Sequence, residues 1–161
     1  MDEHSNDIRQ SRLLIIDDEP ANLELLEELF AEEGFEQVLS SVDARRISSL
    51  LQGFRPDIVL LDLRMPEVDG FSVLVLLDDL REQGEWIPVI VLTADITREA
   101  RYKALSLGAS DFLTKPFDRV EVVLRVCNLL ETRRFYQRLK ALGETPALSD
   151  HRPWVKKNQR D

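Results

Sequence analysis

The stretch LLIIDDEP, residues 13–20, runs four apolar side chains straight into three carboxylates. Leu13, Leu14, Ile15 and Ile16 do not alternate with polar residues. A continuous apolar run this short predicts a strand covered on both faces, as in a parallel sheet packed between helices. Asp17, Asp18 and Glu19 follow at once, and Pro20 suits the first turn of a helix. One acid suffices to cap a helix. Three held together repel one another unless something positive sits between them. The stretch therefore predicts a buried strand whose carboxyl end opens on a cation.

The same alternation continues downstream. Leu23, Leu26 and Phe30 recur at helical spacing, and Gly34 ends that helix. QVLS (37–40) reads as a second strand, and Asp43 caps a helix carrying Ile47, Leu50, Leu51 and Phe54. DIVLLDL (57–63) is a third strand, and Asp69 and Gly70 open a helix with Val73, Leu74 and Leu77 on one face. IPVIVLTA (87–94) is a fourth, followed by a helix over 97–107 that stops at Gly108. DFLTKP (111–116) is a short fifth, and Asp118 caps a long helix over 119–142. Five β-α units of this size imply an α/β fold, with a parallel sheet, helices on both faces and right-handed crossovers.

Composition bounds the rest. The chain has 161 residues, 43% hydrophobic and 32% charged, enough for one domain with a sizeable core. A net charge of −9 argues against nucleic acid as the partner of the domain. No apolar run nears the roughly 18 residues that a membrane span needs, and MDEHSNDIRQ (1–10) lacks the apolar stretch of a signal peptide. The single cysteine, Cys127, sits among Val123, Val126 and Leu130 and reads as a buried core thiol, consistent with a cytoplasmic setting. Residues 1–11 read as a disordered tail, 12–130 as the domain, 131–142 as an extension of its last helix and 143–161 as a tail or linker. His4 and His151 fall in the tails.

In an open parallel sheet, ligands sit beyond the carboxyl ends of the strands, where the strand order reverses. The first strand ends on Asp17 and Asp18, the third on Asp62, the fourth on Thr93, and the fifth leads to Lys115. If strands one and three are neighbours, three carboxylates share a pocket, and all-oxygen ligation of this kind suits Mg²⁺. Acid, divalent metal, lysine and hydroxyl together make a phosphoryl-transfer site. Within that set a carboxylate is the group suited to attack phosphorus.

IIDDEP (15–20), LLDLRMPEVDGF (60–71), VLTA (91–94) and DFLTKPF (111–117), in that order, resemble the receiver domain of two-component response regulators over roughly residues 12–130. The resemblance implies a flavodoxin-like, doubly wound (βα)5 fold with strand order 2-1-3-4-5. It implies Asp62 as phosphoacceptor and Mg²⁺ as cofactor, with Mn²⁺ able to substitute. The metal is held by Asp18 and Asp62, by Asp17 mainly through water, and by the Arg64 backbone carbonyl. Thr93 and Lys115 match the switch hydroxyl and the phosphoryl-binding lysine, and Phe112 the aromatic that rotates inward as Thr93 moves. A cis Lys115–Pro116 bond is expected. The partner is a sensor histidine kinase or phosphotransfer protein, and the module is no enzyme beyond its own phosphorylation and dephosphorylation.

Arg64 and Asp95, two residues after Asp62 and Thr93, carry opposite charges that can pair across the pocket mouth. In the last helix, Leu130, Phe135, Leu139 and Leu142 continue an apolar stripe past the expected core, flanked mostly by basic residues. This predicts a coiled-coil or linker helix and a homodimer through it and the face made by the fourth helix, fifth strand and fifth helix. DFLTKPFDRVEVVLRVCNLLETRRFYQRL (111–139) is similar to receivers joined to HD-GYP-type cyclic-di-GMP phosphodiesterases or other signalling outputs. Three other readings fit less well. A haloacid-dehalogenase-type phosphatase resembles D-x-D at its nucleophile, whereas this chain has Asp62-Leu63-Arg64. A flavodoxin-like cofactor binder needs a phosphate-cradling loop where DDEP stands. A degenerate receiver would lack site positions that are intact here.

Overall fold

The computed structural model describes residues 8–144. Five strands, β1 (Arg12–Ile16), β2 (Gln37–Ser41), β3 (Ile58–Leu61), β4 (Val89–Thr93) and β5 (Asp111–Thr114), alternate with five helices. These are α1 (Pro20–Glu32), α2 (Ile47–Phe54), α3 (Gly70–Glu82), α4 (Arg98–Ser106) and α5 (Arg119–Ala141). The strands pair in parallel in the order β2-β1-β3-β4-β5, so the order reverses beside β1.

The unbroken apolar strands follow from side chains that point alternately to the two faces. Leu13 and Ile15 pack with Ile58, Leu60, Ile90 and Leu92 against α1 and α5. Leu14 and Ile16 pack with Val59, Leu61 and Val91 against α2, α3 and α4. Each such side chain contributes about 1.5–3 kcal/mol on burial, so both faces of β1 are committed. Side-chain caps set the helix starts. Asp69 accepts from the Phe71 amide, Thr97 from Ala100 and Asp118 from Glu121. Asp43 caps a short 3₁₀ turn, Ala44–Arg46, that runs into α2.

Three expectations are corrected. The tail expected over 1–11 is structured from Ile8 onward. Ile8 is buried in the core that holds Phe30 and Leu130, and Arg9 Nε donates to the Glu33 carbonyl at 2.7 Å. Cys127 is half-buried, packed against that core at its edge, and burial pushes its thiol pKa up. On α5 the expected stripe splits between two faces: Leu130 is buried, whereas Leu139, Leu142 and, at 62%, Phe135 are exposed. The buried residue is its neighbour Tyr136, stacked edge-on to Trp86 with ring centroids 5.7 Å apart. The Tyr136 hydroxyl donates to the Gly84 carbonyl at 2.8 Å, and Arg133 Nε pairs with Asp57 at 3.1 Å. The extension is thus clamped to the body of the domain, because a buried tyrosine needs both an apolar wall and an acceptor. Residues 1–7 and 145–161, including His4 and His151, lie outside the described residues.

Candidate functional site

Because β1 and β3 are neighbours, their ends converge. The pairing runs one step past β3: the Asp62 amide donates to the Ile16 carbonyl at 2.9 Å. Asp17 and Asp62 are buried, 2% and 6% exposed, and Asp18 is partly covered. One carboxylate oxygen from each lies within 4.8 Å of the other two. None of these acids is a helix cap. Glu19 occupies the N-cap position of α1 and makes no side-chain cap bond.

Most of the negative charge is held in fixed positions. Lys115 Nζ reaches Asp17 Oδ2 at 2.6 Å and Asp62 Oδ2 at 3.1 Å. Burial works to lower the Lys115 pKa, but the hydrogen bond and charge of Asp17, with Asp62 behind them, outweigh it and hold the ammonium above its ordinary value. Asp62 Oδ1 accepts the Arg64 amide at 3.1 Å, and Asp17 Oδ1 accepts the Glu19 amide at 2.9 Å. Asn22, which sequence reasoning missed, donates to Glu19 at 2.9 Å and more weakly to Asp17 at 3.4 Å. Its position three residues after Glu19 on a helix start was the available signal. The Asp18 side chain has no hydrogen bond or ion pair among the described residues. One lysine against three acids leaves net negative charge, so the donor set fits a hard divalent cation such as Mg²⁺.

The other expected residues stand nearby in distinct settings. Thr93, fully buried, ends β4, and its carbonyl accepts the Lys115 amide at 2.8 Å. Its hydroxyl is turned to its own loop and accepts the Asp95 amide at 3.3 Å. Arg64 and Asp95 do pair: Arg64 Nη2 and Nε lie 2.6 and 3.2 Å from Asp95 Oδ2. The Arg64 hydrogen bond, and after it the Thr97 amide and hydroxyl, hold the Asp95 carboxyl down at about 2. The Lys115–Pro116 bond is cis. Phe112 departs from expectation. It is already inward, 5% exposed in the core beside Ala104, with the Arg101 guanidinium 5.8 Å from its ring. Beside Asp18 a cleft of about 440 Å³ opens between Val42, Arg45, Met65 and Val68.

Residues 13–127 match the response regulator receiver domain profile. The chain belongs to that family. The receiver is 41% identical over 119 residues to response regulator PleD of Caulobacter vibrioides, covering 74% of this chain and 26% of that protein. It is 35% identical over 144 residues to regulatory protein AtoC of Escherichia coli, covering 89% of this chain and 30% of that protein. The receiver therefore spans under a third of the length of either relative. It superimposes on the Francisella response regulator 1452 receiver domain with TM-score 0.68 at 30% identity, covering 76% of this chain and 98% of that one. The resemblance to HD-GYP-linked receivers gains no support from these relatives. Among the described residues no helix is long and apolar enough to cross a membrane.

Proposed function

We propose that the receiver takes a phosphoryl group onto Asp62 from a phosphohistidine of a sensor histidine kinase or phosphotransfer protein, in a cytoplasmic setting. One observation carries this reading: Asp62 is gripped at both oxygens, by Lys115 and by the Arg64 amide, inside a cluster of three acids. Attack forms an O–P bond to Asp62 and breaks the P–N bond. The imidazole nitrogen keeps the electron pair and is protonated from water. Lys115, already aimed at Asp62, pairs with the arriving phosphoryl oxygens as a compact point charge. Asp17, Asp18, Asp62 and the Arg64 carbonyl would hold Mg²⁺ or Mn²⁺. When bound, the ion supplies charge neutralisation to the phosphoryl group.

The Thr93 hydroxyl, now on the Asp95 amide, turns to the new oxygens, and the surface of α4, β5 and α5 shifts population. Phe112 starts inward in this conformation, so a switching role for it requires an outward state. A partner for the output side is supported by α5, whose outer stripe of Val120, Leu124, Phe135, Leu139 and Leu142 is exposed opposite its buried face. We read that stripe as a homodimer seam, with a cyclic-di-GMP or other output domain as the element controlled. The test is incubation with acetyl phosphate and Mg²⁺, read by intact mass and light scattering. One phosphoryl group and the mass of two chains are expected, with no phosphoryl group in Asp62→Asn. A wild-type chain that stays unmodified with Mg²⁺ in excess ends the reading.

We infer that the Arg64–Asp95 pair hinders a water attacking the phosphoryl group. Asp95 is largely covered while Arg64 is exposed, so the pair is a partial shield and not a stability element. Arg64→Ala is expected to speed loss of the phosphoryl group, followed as loss of label over time. An unchanged or slower rate removes the shield from the account.

A further inference from the structure

We propose that Gly70 is a positioning residue for the phosphoacceptor: its missing side chain lets the first turn of α3 rest on the Asp62–Leu63 backbone and so sets where the Asp62 carboxylate stands. This rests on the reading of Asp62 above. A Cβ at position 70 would lie 2.5 Å from Leu63 Cα, 2.8 Å from the Asp62 carbonyl oxygen and 2.9 Å from that of Leu63. All three are backbone atoms, so no side-chain rotation relieves the contact. The reason for glycine here is space, since Gly70 is not among the residues with positive φ.

Neither element that flanks the contact can retreat. β3 is wholly buried and paired on both edges, to β1 and to β4. α3 is anchored by Val73, Leu74 and Leu77 in the core. The loop between them is closed on itself: the Gly70 amide donates to the Leu63 carbonyl at 3.1 Å, and the backbones of Arg64 and Asp69 form an isolated antiparallel β-bridge. A methyl group at 70 must therefore be absorbed by residues 62–64. That is the segment whose Arg64 amide holds Asp62 Oδ1. Gly53, in α2, has nothing within 4 Å of the same added atom and serves as control.

The test compares Gly70→Ala and Gly53→Ala with wild type by three readouts. These are the metal-free amide spectrum of residues 62–64, the Mg²⁺ affinity by calorimetry, and the acetyl phosphate reaction rate at saturating Mg²⁺. Gly70→Ala should fold, with its amide changes centred on 62–64 and its rate about 100-fold lower, as a misplacement near 1 Å costs. Its Mg²⁺ affinity should fall about 10-fold. Gly53→Ala should match wild type in all three. Should Gly70→Ala unfold in buffer, sucrose restores compact states and the readouts are taken there. Failure to fold even then, or a lowered melting temperature with amides 62–64, affinity and rate as in wild type, makes Gly70 a packing residue and overturns the proposal. If wild type itself takes no phosphoryl group, the reading of Asp62 fails. The amide and Mg²⁺ results then still decide whether Gly70 positions the cluster.

Discussion

Lys115→Met is expected to slow phosphorylation of Asp62 by about 10²–10³-fold, the usual cost of removing one preorganised charge partner from a developing anion. The same change should destabilise the metal-free protein by about 3 kcal/mol, because it leaves two buried carboxylates without their shared cation. Mg²⁺ should then bind more tightly than to wild type, since its competitor for the acids is gone, and should return much of the lost stability. Lys115→Arg should not restore the rate, because a planar fork does not replace a compact ammonium placed between two acids. The pH dependence has a definite sign. Lys115 is held above its ordinary pKa in the folded state, so its contribution is complete below the unfolded value, near 10.4, and is lost only as pH rises through the folded value. Wild type and Lys115→Met should therefore differ by a constant amount across neutral pH and converge only in strong alkali. Denaturant melts with chelator and with Mg²⁺, beside single-turnover labelling, check all of this. A mutant that labels at the wild-type rate would reduce Lys115 to a counter-charge.

The parts of this site that could be read from sequence are those set by short-range order. Leu13–Ile16 and Ile58–Leu61 show no polar break, so both faces had to be covered, and that alone placed Asp17, Asp18 and Asp62 at strand ends. Thr93 and Lys115 followed from the same rule. What could not be read depends on contacts between distant residues. Ile8 is a lone apolar residue in a polar stretch and has no period to betray it. Its burial is decided by the core around Phe30, which only the fold brings near. Gly70 reads as a plain helix opening beside Asp69, whereas its real constraint is the Leu63 backbone folded against it. Phe112 was assigned by motif, and a motif carries no rotamer. On α5 nothing marks Tyr136 as the buried residue, because the helix carries apolar residues on two faces and periodicity cannot rank them. The Gly84 carbonyl that accepts from Tyr136 lies 52 residues away.

The burial of Tyr136 yields the second large effect. Tyr136→Ala should cost about 3 kcal/mol, as truncation of a buried aromatic does, and lower the melting temperature by about 10 °C. Tyr136→Phe should cost about 1 kcal/mol, the net worth of one hydrogen bond, because it keeps the Trp86 contact and loses only the bond to Gly84. Phe135→Ala should change stability by under about 0.5 kcal/mol, as an exposed site does, while weakening any association through the outer stripe. Thermal melts of the three variants at one protein concentration separate these outcomes, and a larger loss from Phe135→Ala than from Tyr136→Ala would invert the assignment of faces. The consequence reaches function. α5 begins four residues after Lys115 and is 23 residues long, a rod of about 35 Å at 1.5 Å per residue. One end adjoins the lysine that grips Asp62. The other is pinned by Tyr136, by Arg133 on Asp57, and by Lys140 on the Gly84 carbonyl at 2.7 Å. A rod fixed at both ends cannot relay a phosphoryl signal by swinging freely. On the proposed reading it would relay the signal by repacking the α4–β5–α5 surface, or by breaking the clamp. If Tyr136→Ala leaves the acetyl phosphate rate intact but changes the phosphorylation-dependent light-scattering mass, the clamp lies on the output side of the switch. If it changes neither, the extension serves stability alone.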